Sequence, residues 1–143
     1  MGVLGKSKQE IAFMKRQVPV LSKQLLESVE LLDKTIKPDV FFNRYDFMIE
    51  TLSRLSAMEK HIKFKNEKPS LALQKLNDPN VREAQTANFI VRAVEKLTAD
   101  VEKLKTEKAK HGKIDKFYSD MKQFSEYLTP SNLMLLETLK PQI

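Results

Sequence analysis

From Gly5 to Gly112 the chain contains no glycine, and its prolines divide it into helical units. Pro38, Pro69, Pro79 and Pro130 each stand near the start of a segment whose apolar residues recur every three or four positions. Proline suits the first turn of a helix, where its missing N–H would have had no partner. The pattern predicts an all-α, single-domain helical bundle with mostly antiparallel neighbours. No catalytic or ligand-binding signature stands out from it.

A chain of 143 residues makes one ordinary domain and buries a core without staples. The absence of cysteine excludes disulfides, thiol nucleophiles and thiolate metal sites. No apolar run approaches the roughly 18 residues of a spanning helix. The N-terminus MGVLGKSK lacks the apolar stretch of a signal peptide, which predicts a cytoplasmic setting. Gly2 invites N-acylation, but that pattern needs Ser or Thr where Lys6 stands. The net charge of +6 is spread thinly, with a mild bias to the N-terminal end, whereas a nucleic-acid binder concentrates it.

Residues 1–6 read as a disordered N-terminus, and residues 7–140 as the bundle. Ser7 with Glu10 is a capping box for a short helix over 7–17, which Pro19 breaks or kinks. The four principal helices are predicted at 19–36, 39–64, 79–111 and 113–128. Shorter helices are predicted at 70–77 and 130–139. Asp78-Pro79 and Thr129-Pro130 pair an N-cap with proline at the first position, and Gly112 reads as the left-handed C′ residue of the longest helix. The expected core is Leu25, Leu32, Phe41, Tyr45, Met48, Leu52, Leu55, Ile90, Val94, Leu97, Val101, Phe117, Met121 and Phe124.

The lysines are the first place to look for a phosphate-binding or partner-binding surface. Lys96, Lys103, Lys105, Lys108, Lys110, Lys113 and Lys116 crowd the end of the long helix and the start of the next. Plotted at about 100° per residue, Ile90, Val94, Leu97, Val101 and Leu104 share one face, and Arg92, Lys96, Asp100, Lys103, Glu107 and Lys110 run opposite. Alternating signs, with Lys96–Asp100 and Lys103–Glu107 four apart, describe a solvated face more readily than a nucleic-acid interface. Lysines near a helix C-terminus also complement its dipole. Lys108 falls on the apolar side, one turn past Leu104.

Phe41-Phe42-Asn43-Arg44-Tyr45-Asp46-Phe47 is the most aromatic stretch. Interleaved Arg and aromatics make base-stacking platforms, but Phe41, Tyr45 and Met48 share one helical face, so these rings belong to the core. Arg44 and Glu59 are the charges on the apolar side of that helix, and each needs a partner on another element. His61 and His111 lie far apart, without metal-ligand spacing. No Ser-His-Asp set and no phosphate-cradling loop is present. No enzyme activity, catalytic residue, metal or cofactor is expected.

The segment Asp39-Val-Phe-Phe-Asn-Arg-Tyr-Asp-Phe, with Glu59-Lys60 and Lys105-Thr106-Glu107-Lys108, resembles a helical region of uncharacterised proteins of Gram-positive bacteria and their mobile elements. The resemblance covers roughly residues 25–140 of this chain. It implies a helical fold and a bacterial cytoplasmic origin, and carries no catalytic residues. The reading that follows is a non-enzymatic helical protein-interaction module, with nucleic-acid binding at the lysine-rich end as the alternative. A monomer is favoured over a homodimer, and the broad apolar face of 41–62, with Phe42 and Ile49, is the place a dimer would use.

Overall fold

A computed structural model describes residues 7–143; the expected disorder of 1–6 lies outside the described residues. The elements are α1 (Lys8–Lys34), α2 (Pro38–Ala57), α3 (Pro69–Asn77), α4 (Pro79–Glu102), α5 (Glu107–Lys122), a 3-10 turn (Ser125–Tyr127) and α6 (Pro130–Leu139). The protein is an all-helical bundle of four longer helices and shorter flanking ones, with no strand among the described residues.

Four side chains cap helix starts. Ser7 accepts from the backbone N–H of Glu10, Asp78 from Asn80, Thr106 from Ala109 and Thr129 from Asn132. Each satisfies a donor that the first turn leaves open. Pro38, Pro69, Pro79 and Pro130 all occupy the first helical position.

Several boundaries differ from those the sequence suggests. Residues 8–34 form one helix with Pro19 inside it, rather than two helices meeting there. Pro19 is exposed, so water reaches the Lys15 carbonyl that lost its donor. The second helix ends at Ala57, not at 64. The chain then turns through Met58, whose carbonyl accepts from His61 and Ile62. The long helix ends at Glu102, not 111, and α5 starts at Glu107, capped by Thr106, rather than at Lys113. Gly112 therefore sits inside α5, with no positive φ, and is not a C′ residue. The break lets α5 fold back on α4 and bury Ile114, Tyr118 and Met121. The helix expected to reach 128 ends at Lys122, before the 3-10 turn.

The main core joins α2, α4, α5 and α6 around Phe41, Phe42, Tyr45, Phe89, Ile90, Val94 and Met121. Phe41 stacks on Phe89 with ring centroids 4.5 Å apart, and Phe42 on Phe124 at 4.9 Å. The aromatic stretch of α2 is thus core. Leu25, Phe117 and Phe124 are half-buried rather than central, while Phe89, Ala93, Ile114, Tyr118 and Leu136 complete the interior. A second, smaller cluster joins the first half of α1 to the end of α2: Leu21, Leu55 and Met58, with Met14, Val18, Ile62 and Phe64 against them.

Polar locks tie the helices together. Arg92 donates to the Leu32 and Thr35 carbonyls, at 2.6 and 3.1 Å, and so holds the end of α1 on α4. The Glu59 carboxylate accepts from the backbone N–H and the hydroxyl of Ser70, at 2.6 and 2.9 Å, and fastens the start of α3. Arg44 reaches the Ser28 hydroxyl at 3.5 Å and lies over the Phe47 ring. Both charges on the apolar side of the second helical segment thus find partners on other elements.

Candidate functional site

The seven lysines do not form one surface. The turn between Lys103 and Thr106 splits them. Lys103 caps the end of α4, Lys105 lies in the connection, and Lys108 and Lys110 are in the first turns of α5. Lys108 is exposed there, because helical register restarts at the break and no longer aligns it with Leu104. The Lys103–Glu107 pair does not form for the same reason. Only Lys103 gains from a helix C-terminus; Lys108 and Lys110 stand at the positive end of α5, whose dipole opposes them.

Lys96, Lys113 and Lys116 do meet. With Lys37 from the turn between α1 and α2 they line a groove of about 190 Å³, whose walls include Ile36, Pro38, Ala93, Leu97 and Phe117. A second cavity, of about 400 Å³, shares Lys37, Pro38, Lys116 and Asp120 and reaches Phe124. Two of the cations are matched within the groove: Lys96 with Asp100 at 3.0 Å and Lys116 with Asp120 at 3.4 Å. The Lys96 hydrogen bond, with Lys113 and Lys103 close by, holds the Asp100 carboxyl below its ordinary value. Among the described residues Lys37 and Lys113 form no ion pair, although Lys113 stands close to the Asp100 carboxylate. Lys37 escaped sequence reasoning because its place beside Pro38 reads as punctuation.

The other candidate surface is α1. This helix packs on α2, while α4 is contacted by α3, α5 and α6. Phe13 is 53% exposed, Val20 57% and Leu26 68%, and Val29 and Leu31 also face solvent. Phe13 and Leu31 are 18 residues apart, which is about five turns, so they fall on one line with Val20 close to it. That line borders the α1–α2 seam. Beside Leu31 opens a cleft of about 630 Å³ lined by Asp39, Val40, Asn43, Arg44 and Phe47. An adjoining one of about 320 Å³ brings Glu27, Glu30 and Lys34 to the same Leu31 and Arg44. Val29 and Ile36, which continue the spacing of Leu25 and Leu32, are both exposed, and Ser28 is buried instead, its hydroxyl donating to the Gln24 carbonyl at 2.7 Å. Large apolar side chains thus stand open on α1, and on α6 at Leu133 and Met134, but not at Phe42 of the second helix, which is 1% exposed and closed to any partner.

The polar groups at the edge of the core are occupied with structure. Asp46 accepts from Arg82 and from the Tyr127 hydroxyl, both at 3.2 Å, and the Arg82 guanidinium lies over the Tyr45 and Tyr127 rings. The Asp46 charge, with its hydrogen bond, pushes the Tyr127 phenol up. Burial raises Tyr45, whose hydroxyl donates to the Leu76 carbonyl at 2.6 Å. Burial also pushes Tyr118 up to about 12, where its hydroxyl donates to the Leu136 carbonyl. Among the described residues no three His, Asp or Glu side chains gather as a metal site, and no helix is long and apolar enough to cross a membrane.

Comparison of the chain with protein-family models, with curated protein sequences and with solved structures finds no match.

Proposed function

We propose that the protein is a non-enzymatic helical interaction module that docks another protein through the edge of α1 that carries Phe13, Val20 and Leu31. The observation that carries this reading is the exposure of Phe13 and Val20, each more than half open, in line with the exposed Leu31 on a helix packed mainly on α2. A large apolar side chain left in water forgoes about 1.5–3 kcal/mol of burial. Several along one line of a helix form a patch of the kind that recruits partners. The test is a photo-crosslinking residue placed at Val20, with Glu50 on α2 as the control position, in cells that make the protein. A discrete protein adduct at position 20 and none at 50 is expected. No adduct at position 20, or equal labelling at both, would contradict it.

A second reading, nucleic-acid binding, draws on the groove that gathers Lys37, Lys96, Lys113 and Lys116 around Phe117. Cations beside an exposed ring edge suit single strands. Its test is the salt dependence of affinity for a labelled single-stranded oligonucleotide. A steep negative slope of log affinity on log salt, flattened by K113A/K116A, is expected of this reading. Absence of binding at low salt removes it.

A further inference from the structure

We infer that the protein docked on α1 is a second copy of this chain, laid antiparallel along the same helix, with Phe13 of each copy seated in the cleft beside Leu31 of the other. The inference rests on reading α1 as a docking surface and names its occupant. A two-fold axis through the middle of the Phe13–Leu31 line, near residue 22, places Phe13 of one copy opposite Leu31 of the other. The same axis sets Val20 against Gln24 and Gln17 against Glu27. Each contact occurs twice, as closed two-fold interfaces require.

Charge supports this direction and no parallel one. Arg16, three positions after Phe13, stands on the same side of the line as Glu27, four positions before Leu31, and both are exposed. Neither is engaged in an ion pair among the described residues. The cations of the smaller cleft, Lys34 and Arg44, share its rim with Glu27 and Glu30. Antiparallel pairing brings Arg16 of each copy to Glu27 of the other, at both ends. Parallel pairing would set Arg16 against Arg16 and Glu27 against Glu27, which is unfavourable.

Shape supports it as well. Phe13 is 53% exposed, at the edge of an open pocket that it lines with Gln9, Met14, Gln17 and Met58. The Leu31 cleft is open to solvent, has apolar walls from Val40 and Phe47 beside the polar Asp39, Asn43 and Arg44, and at about 630 Å³ is large enough to take an aromatic ring. An aromatic anchor in a partner's cleft is the usual energetic centre of an interface. The facing strip is about 27 Å long and 10–12 Å wide. That projects to about 300 Å² per copy, or about 600 Å² in total before the clefts are filled, below the standard size of stable interfaces. The dimer is therefore weak, forming in the micromolar range, and depends on concentration and salt.

Sedimentation equilibrium at low salt, from roughly 1 to 200 μM, tests it. The average mass of the wild type is expected to climb from one chain towards two. F13D should stay at one chain throughout with an unchanged helical circular-dichroism spectrum. R16E and E27K should each weaken association by about tenfold or more, and an equimolar mixture of the two should restore it. The chain has no cysteine, so disulfide mapping reads direction cleanly. F13C mixed with L31C should give an oxidised dimer that neither variant gives alone. Self-linking of either single variant would show a parallel dimer and overturn the inference, as would a dimer that survives F13D. A wild type that stays at one chain at the highest concentration also overturns it. In that event the crosslinker at Val20 separates the two levels: an adduct with a different protein sinks the second copy and keeps the docking surface, and no adduct sinks both.

Discussion

Helices α1 and α4 have 27 and 24 residues, yet they end up in opposite situations. The longer one buries Leu21, Ser28 and Leu32. The shorter buries Thr86, Phe89, Ile90, Ala93, Val94, Leu97 and Val101. Both carry an apolar residue every three or four positions, so the pattern alone ranks them as equals. The difference comes from neighbours. Contacts from α3, α5 and α6 close over α4, whereas α1 lies mainly on α2, with its end tied to α4 by Arg92 and its far side open. Periodicity tells which face of a helix faces inward; the number of elements that reach it decides how many of its apolar residues are covered.

The sharpest way to break this comparison is a pair of truncations. Phe89→Ala removes a ring that is fully buried, and a loss of about 3–5 kcal/mol is expected in urea unfolding. Leu26→Ala, at the most exposed of the α1 positions above, should cost less than about 0.5 kcal/mol. Equal losses would mean that α1 is covered as fully as α4. Next in size is Pro19→Ala. Restoring the missing donor within a continuous α1 should stabilise the protein by up to about 3 kcal/mol, read as a higher urea midpoint at unchanged slope. A destabilised variant would show that the chain needs a break at Pro19 after all.

How much of this was readable depends on what each signal encodes. Caps are local, so Ser7, Asp78-Pro79 and Thr129-Pro130 announced their helices correctly. The end of α4 is not local. From Val101 through Lys108 nothing in the residue types forbids helix, and Thr106 is followed by no apolar residue until Ala109 and then Ile114. The chain turns there because Ile114, Tyr118 and Met121 must return to the core that Phe41, Phe42 and Phe89 share. Gly112, taken as the stop, is an ordinary helical residue. The same turn decided the fate of the lysine set. Lys96, Lys113 and Lys116 are drawn together by the fold-back, and Lys103, Lys105, Lys108 and Lys110 are left around the corner. The exposed side of α1 was invisible for the reason already given, since its stripe looks like that of any covered helix.

Two smaller effects sharpen the account. Gly112→Ala should stabilise by about 0.5–1 kcal/mol, because a Cβ there meets nothing within 4 Å and the backbone is helical. A loss would restore the left-handed stop. The smallest effect is confined to alkali. All three tyrosines titrate above their ordinary value, Tyr118 near 12, so the folded state holds phenolic protons that the unfolded chain gives up near pH 10. Stability from these groups is complete below about pH 10 and falls as pH rises from there towards 12. Tyrosinate absorbance should lag in the native protein and appear near pH 10 in denaturant. Coincident curves would show that Tyr118 is open to water.

The claim that α1 is held from one side, and is the side that binds, is tested most directly by hydrogen exchange on peptides covering 8–20 and 86–101, in dilute and in concentrated protein. In dilute solution the α1 peptide should exchange through local opening at least about a hundredfold faster than the α4 peptide, which waits for global unfolding. At high concentration protection in α1 should rise, while that of α4 stays unchanged. Equal protection of the two peptides in dilute protein, with no response to concentration in either, would contradict the account.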